Sequence, residues 1–239
     1  MEVSNIGSAA QTYWTGRSDG GHRHSTEEWL ANYARELLSI IPSNGILLDV
    51  GCGSCQMTTY LAKSFNTVYA IDFSGTMLSA ARERVRAMRS ANITVLHGSM
   101  QNFPPIIHSA DVILSNQVVQ YLSLEELAEH LDQCRKVLAM DGVVCLANIP
   151  NVDFRSWYEW TVMVPRPGGR LGGIRQWVAV NRRRLRRYLA RDFLWDGIGT
   201  WFSQEEITAT AMKRGFRAKF RRSRHYEYRF HAILHRTAN

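Results

Sequence analysis

The 239-residue chain is 45% hydrophobic and 21% charged, a balance that excludes a disordered or fibrous polymer and suits one globular domain. No run approaches the roughly 18 apolar residues of a membrane span, and the first residues lack the apolar block of a signal peptide, so a cytoplasmic protein is expected. The net charge of +8 is unevenly divided: residues 1–150 hold 10 Lys+Arg against 14 Asp+Glu, and residues 151–239 hold 19 against 7.

A basic C-terminal part suggests an acidic partner, whether a small anion, nucleic acid or an anionic membrane; the competing reading is a solvated face. A chain of this size buries roughly 70% of the surface its unfolded form exposes, so its four cysteines need not act as staples.

In chain order, Thr26 to Ile41 places Trp29, Leu30, Tyr33, Leu37 and Leu38 at a helical period, with Ser25 or Thr26 as N-cap and Pro42 as the stop. GILLDVGCG (45–53) reads as a strand that runs into a glycine turn, followed by a helix from Gln56 to Ser64. The unit repeats: TVYAID (67–72) precedes a helix from Gly75 to Ser90, ITVLHGS (93–99) follows, DVILSN (111–116) precedes a helix over 123–140, and GVVCLANIP (142–150) closes the series. Buried strands alternating with helices predict a parallel sheet covered on both faces.

Residues 151–202 break this rhythm with Pro/Gly clusters and an Arg-rich stretch, and read as an inserted cap. Ile174, Trp177, Val178, Leu185, Tyr188 and Leu189 fall on one helical face there, opposite Arg182, Arg183, Arg184, Arg186 and Arg187. Packing of that stripe on the domain is preferred over a helix lying on lipid. Ser203 with Glu206 has capping-box spacing, Gly215 ends that helix, and two strands follow, Phe216–Ser223 and Tyr228–Arg236, the second antiparallel. The expected architecture is a Rossmann-like, doubly wound, seven-stranded mixed sheet in one domain. It divides into a lid and helix (1–44), a cofactor core (45–150), the cap (151–202) and a C-terminal helix with two strands (203–239).

The chemistry gathers at Asp49-Val50-Gly51-Cys52-Gly53, where the first strand ends and open α/β sheets bind ligands. A dinucleotide fingerprint would need a small residue where Gln56 stands, and Asp49 would repel a pyrophosphate; an acid before the turn suits a cationic ligand. Asp72, at the end of the next strand, is placed to accept ribose hydroxyls. Cys52 and Cys55 form a C-x-x-C, but no second close pair exists and the glycine turn contains both, so no metal is expected.

Over residues 45–150 the chain resembles the class I S-adenosylmethionine-dependent methyltransferases of the small-molecule type. LLDVGCGSC is similar to that family's first motif, which implies that Asp49, Gly51 and Gly53 hold the amino acid part of the cofactor. AIDFS places Asp72 at the ribose-binding acid, with Phe73 and Met77 beside it; LHGSM places Ser99 and Met100 at the adenine; ADVILSNQVVQYLS carries Asn116 and Gln117 past the sulfonium. Tyr13, Trp14 and Arg17 resemble an N-terminal lid over the cofactor. Cys55 departs from the pattern, since the family often has a third glycine there, and at a helix start a small cysteine is expected to fit.

The resemblance implies S-adenosylmethionine as methyl donor, S-adenosylhomocysteine as product, and a biosynthetic or secondary-metabolite setting. Ser115-Asn116-Gln117-Val118 is not the N-P-P-aromatic or D-P-P-aromatic sequence of enzymes that methylate nucleic-acid amino groups, which disfavours nucleic acid as partner. The expected acceptor is a small anionic molecule, methylated at oxygen rather than nitrogen, met by Gln120, Tyr121, Trp157, Arg170, Arg175 and Tyr226. His24, His225 and Tyr121 are weak candidates for a general base, and His97, His108 and His130 read as strand-end, loop and helix-surface residues. RNA methylation and an inactive cofactor-binding subunit are the alternatives, and the chain is expected to be a monomer or homodimer.

Overall fold

A computed structural model describes residues 14, 26–158, 182, 186, 189 and 198–237. Seven strands form one sheet: β1 (Ile46–Val50), β2 (Thr67–Asp72), β3 (Ile93–His97), β4 (Ala110–Asn116), β5 (Leu138–Pro150), β6 (Phe216–Arg222) and β7 (Arg229–Arg236). Their order is β3-β2-β1-β4-β5-β7-β6. β7 runs antiparallel to both neighbours and the other adjacent pairs are parallel, so the expected seven-stranded mixed sheet with an antiparallel last strand is the one observed. The strand order reverses between β1 and β4, and the carboxyl ends of these two strands open a crevice there.

The helices follow their caps. Thr26 caps α1 (Glu27–Leu38) by accepting from Trp29 N, and Ser74 caps α3 (Gly75–Ala87) by accepting from Met77 N. Ser123 with Glu126, and Ser203 with Glu206, form reciprocal capping boxes on α4 (Leu124–Val137) and α5 (Gln204–Lys213). Alternate residues of the strands feed two cores. Leu48 and Val50 join Leu127, Leu131 and Phe216 on one face, while Leu47, Val68 and Leu114 join Leu30, Leu37 and Leu61 on the other. Each such fully buried leucine contributes about 1.5–3 kcal/mol.

Four expectations need correction. The helix foreseen over 56–64 is one turn, α2 (Thr58–Leu61), followed by a 3-10 turn at Ala62–Ser64. The reason lies upstream: Cys55 is not at a helix start but in the left-handed region, φ +56°, so the chain must turn once more before it can coil. The helix foreseen over 123–140 ends at Val137, because Leu138 is extended (φ −70°, ψ 129°) and pairs with Ala110. His130, read as a surface residue, is fully buried. Leu189, assigned to an apolar stripe packed on the domain, is 71% exposed; of the cap between 159 and 197, only it, Arg182 and Arg186 are among the described residues.

Candidate active site

The crevice is a cavity of about 1220 Å³, its open mouth included. Its first wall is the turn after β1. Gly51 (φ +75°) sits so close to the segment after β4 that a Cβ there would meet Val118 Cγ2 at 2.6 Å. Gly53 (φ +54°) faces open space and donates its N–H to Asp72 Oδ2 at 2.9 Å. Ser74 N donates to the other oxygen, Asp72 Oδ1, at 2.9 Å. The two glycines thus let backbone approach the cavity and fix the carboxylate that ends β2.

Asp49 is the next-to-last residue of β1 and is 4% exposed. Thr58 Oγ1 donates to its Oδ2 at 2.6 Å, and among the described residues Oδ1 has no hydrogen-bond partner. Burial foremost raises its pKa to about 6, with the Thr58 hydrogen bond opposing and the nearby charge of Asp72 adding. Burial also raises Asp72, against the backbone N–H groups of Ser74 and Gly53. Two crowded, desolvated carboxylates form a site that a cation relieves and a pyrophosphate aggravates. A sulfonium amino acid joined to a nucleoside fits this donor set: Asp49 would meet a positive group, and Asp72 has lone pairs that would accept from ribose hydroxyls.

The remaining walls include Phe73, Met77, Ser99, Met100, Asn116, Gln117 and Tyr121. Trp14 also lines the cavity; its ring meets Tyr121 edge to face at 5.7 Å, and its carbonyl accepts from Ser74 Oγ at 3.4 Å. His97 Nε2 lies 3.1 Å from the Phe73 carbonyl and steadies that wall. His130 holds the adjacent one: Nδ1 lies 3.1 Å from the Met100 carbonyl, and Nε2 lies 2.8 Å from Ser115 Oγ. A carbonyl only accepts, so Nδ1 carries the proton and Ser115 donates to Nε2. Burial lowers the pKa of His130 to about 4, which keeps it neutral.

The structure therefore brings together Trp14, Asp49, Gly51, Gly53, Asp72, Phe73, Met77, Ser99, Met100, Asn116, Gln117 and Tyr121. It separates others. Gln120 does not face the cavity but is buried, accepting from Arg229 Nη1 at 2.7 Å. Tyr226 stands behind Gln117, whose Nε2 donates to its hydroxyl at 3.1 Å. Trp157 is 43% exposed, against Phe154. His225, a candidate base, does not line the cavity; its Nδ1 pairs with Glu36 beneath the rings of Trp29 and Tyr33. Tyr13, Arg17, His24, Arg170 and Arg175 lie outside the described residues.

Sequence reasoning missed a polar layer behind Asn116 and Gln117. Tyr33 donates to Asn116 Oδ1 and accepts from Asn148 Nδ2. Asn148 has φ +57° at the point where the β5–β7 register shifts, so a bulge turns its side chain inward. Glu36, on the buried face of α1, binds His225, His231 and Arg224 N. Burial pushes its pKa up, but these hydrogen bonds outweigh that and bring it to about 2. The one signal available was Glu36 itself, an acid beside Tyr33 and Leu37 on the apolar face of a helix.

Residues 47–142 match the family model described as a methyltransferase domain. Phosphoethanolamine N-methyltransferase 1 of Caenorhabditis elegans is 29% identical over 52% of this chain and 26% of its own length. Malonyl-[acyl-carrier protein] O-methyltransferase of Pectobacterium atrosepticum is 30% identical over 47% of this chain and 43% of its own. The chain thus matches less than half the length of these curated relatives. Among solved structures, the DhpI–SAH complex covers 98% of both chains with a TM-score of 0.66 at 14% identity, a likeness of fold.

Proposed function

From the match of residues 47–142 to a methyltransferase-domain model, we propose that the chain transfers a methyl group from S-adenosylmethionine to an oxygen of a small anionic acceptor. The observation that carries the reading is the pair of raised, buried carboxylates, Asp49 and Asp72, at the strand-order reversal. When bound, S-adenosylmethionine supplies an electrophilic methyl carbon on a sulfonium.

The protein's work is then positioning and the exclusion of water, effects that can supply about 7–11 kcal/mol. Asp49 offers its free oxygen to the positive end of the ligand, and Asp72, locked by Gly53 and Ser74, offers lone pairs to the ribose. Met77, Met100 and Phe73 wall the base, and Trp14 against Tyr121 shields the mouth. Gln117, held at φ +59°, presents its amide on the acceptor side, fixed by Tyr226.

An anionic acceptor is supported by the excess of 19 Lys+Arg over 7 Asp+Glu after residue 150. An acid also needs no base, because its oxygen is already ionised at neutral pH. By name, one relative acts on nitrogen and the other on oxygen, so the choice of oxygen rests on this chain alone. The test is calorimetry with S-adenosylhomocysteine, followed by transfer of labelled methyl to matched acids, alcohols and amines. Micromolar binding and label in base-labile esters of the acids are expected. No binding of either cofactor form would overturn the reading, and label in the amines alone would overturn the choice of oxygen.

A further inference from the structure

Arg229, the first residue of β7, is 6% exposed. Burying a guanidinium is costly unless a counter-charge and hydrogen bonds replace its water. Its hydrogen bonds run from Nη1 to neutral acceptors, Gln120 Oε1 and the Asn148 carbonyl, each at 2.7 Å. Among the described residues no carboxylate pairs with it, and its buried Nε has no partner. Both N–H groups of Nη1 are used, so the edge formed by Nε and Nη2 remains, two parallel donors spaced to meet two oxygens of one carboxylate or phosphonate.

The surroundings hold that edge in place. The guanidinium carbon lies 5.4 Å from the ring centroid of Tyr226 and 5.2 Å from that of Tyr228. Tyr228 packs on Tyr158 at 4.6 Å, and Trp201 closes the group at 5.9 Å from Tyr228. One contact leads back to the cavity, since Gln117 lines it and donates to Tyr226; in the chain, Gln120 directly precedes Tyr121, which also lines it. Arg229 pairs with Pro150, the last residue of β5, so it lies at the same end of the sheet as the crevice.

We propose that Arg229 is the anion anchor of the acceptor site, its Nε/Nη2 edge taking the carboxylate or phosphonate of a small acid whose apolar body lies against the Tyr158–Trp201–Tyr228 rings. This rests on the methyltransferase reading for the identity of the acceptor, not for the existence of the anion site. Gln120 and Asn148 satisfy Nη1 alone, and they leave the buried Nε without a partner and the guanidinium without a carboxylate among the described residues. The anchor comes from the end of the sheet, 109 residues after the glutamine that holds it.

The test uses the full chain labelled with 15N-arginine, with and without S-adenosylhomocysteine, titrated with benzoate, phenylphosphonate and the neutral isostere benzamide. One Nε–H resonance, absent in Arg229→Lys, is expected to move downfield and saturate with the two anions and to ignore benzamide. Arg229→Lys should weaken anion binding about tenfold or more, since a lysine lacks the two-donor edge, and leave S-adenosylhomocysteine affinity within about twofold. Should that variant fail to fold, Tyr228→Leu removes one stacked ring and should weaken both anions severalfold. A motionless resonance, equal binding of benzamide, or unchanged anion affinity in the variants would overturn the proposal. If S-adenosylhomocysteine does not bind the parent, the methyltransferase reading falls, while the anion titration still decides on Arg229.

Discussion

The two sides of the cavity are built on opposite plans. The side below β1 and β2 is acidic and local: Asp49 meets Thr58 nine residues on, and Asp72 is held by Gly53 and Ser74. Behind the side below β4, β5 and β7 lies a layer that carries a buried cation and is assembled from partners 109 and 115 residues apart, Gln120 with Arg229 and Tyr33 with Asn148. Local hydrogen bonds leave a sequence motif, because spacing along the chain fixes them. Long-range ones leave none, because the sheet and not the spacing brings them together. On the function proposed above, the first side would take the cationic cofactor and the second the acceptor.

The comparison is broken most severely at the turn itself. Gly51→Val forces a branched side chain into φ +75° and drives its Cβ to within 2.6 Å of Val118 Cγ2. Left-handed strain of about 1–2 kcal/mol, with the clash added, should reduce S-adenosylhomocysteine affinity by about a hundredfold or more. Calorimetry on a variant that still melts cooperatively measures this. Near-parental affinity would mean that the local side is not the cofactor side.

A smaller effect separates stability from function. Burial raises Asp49 from 3.8 to about 6 in the folded, ligand-free chain, so the fold holds this proton more tightly than the unfolded chain does. The contribution to stability is therefore most favourable below pH 3.8, is lost as pH rises through about 6, and is constant above that. Asp49→Asn removes the charge and keeps an acceptor for Thr58. Relative to the parent, it should be stabilised by up to about 3 kcal/mol at pH 8 and by little at pH 4. It should also bind S-adenosylhomocysteine more weakly, through the lost interaction with the ammonium group. Urea unfolding at both pH values checks the sign, and a variant less stable at pH 8 would contradict it.

The same division decides what could be read from the chain. The strands, their alternation with helices and the second capping box were legible, because Leu47 and Leu48 point to opposite cores and Ser203 with Glu206 needs only a spacing of three. Asp49 and Asp72 were legible for the same reason. Arg229 was one of nine Lys/Arg among residues 201–239, and nothing local distinguishes the one whose strand starts beside Pro150. His130 was hidden too: its burial depends on Ser115 and on the Met100 carbonyl, neither of them on its own helix. His225 was misread because Glu36, 189 positions earlier, draws it away from the cavity.

The finest comparison lies inside the local side, at Cys55, where the chain keeps a side chain in a backbone conformation that glycine adopts freely. Cys55 is fully buried at φ +56°, with its N–H on the Cys52 carbonyl at 3.0 Å. Cys55→Gly relieves the left-handed strain but forfeits buried surface and loosens the unfolded chain, opposing terms of about 1 kcal/mol each. The net change should stay within about 1 kcal/mol, and S-adenosylhomocysteine affinity within about threefold. Cys55→Ala keeps the strain and loses the sulfur contacts, so it should be the less stable of the two. Thermal or urea unfolding of the pair decides: if alanine proves the more stable, the packing of Cβ rather than backbone strain governs the third position of the turn.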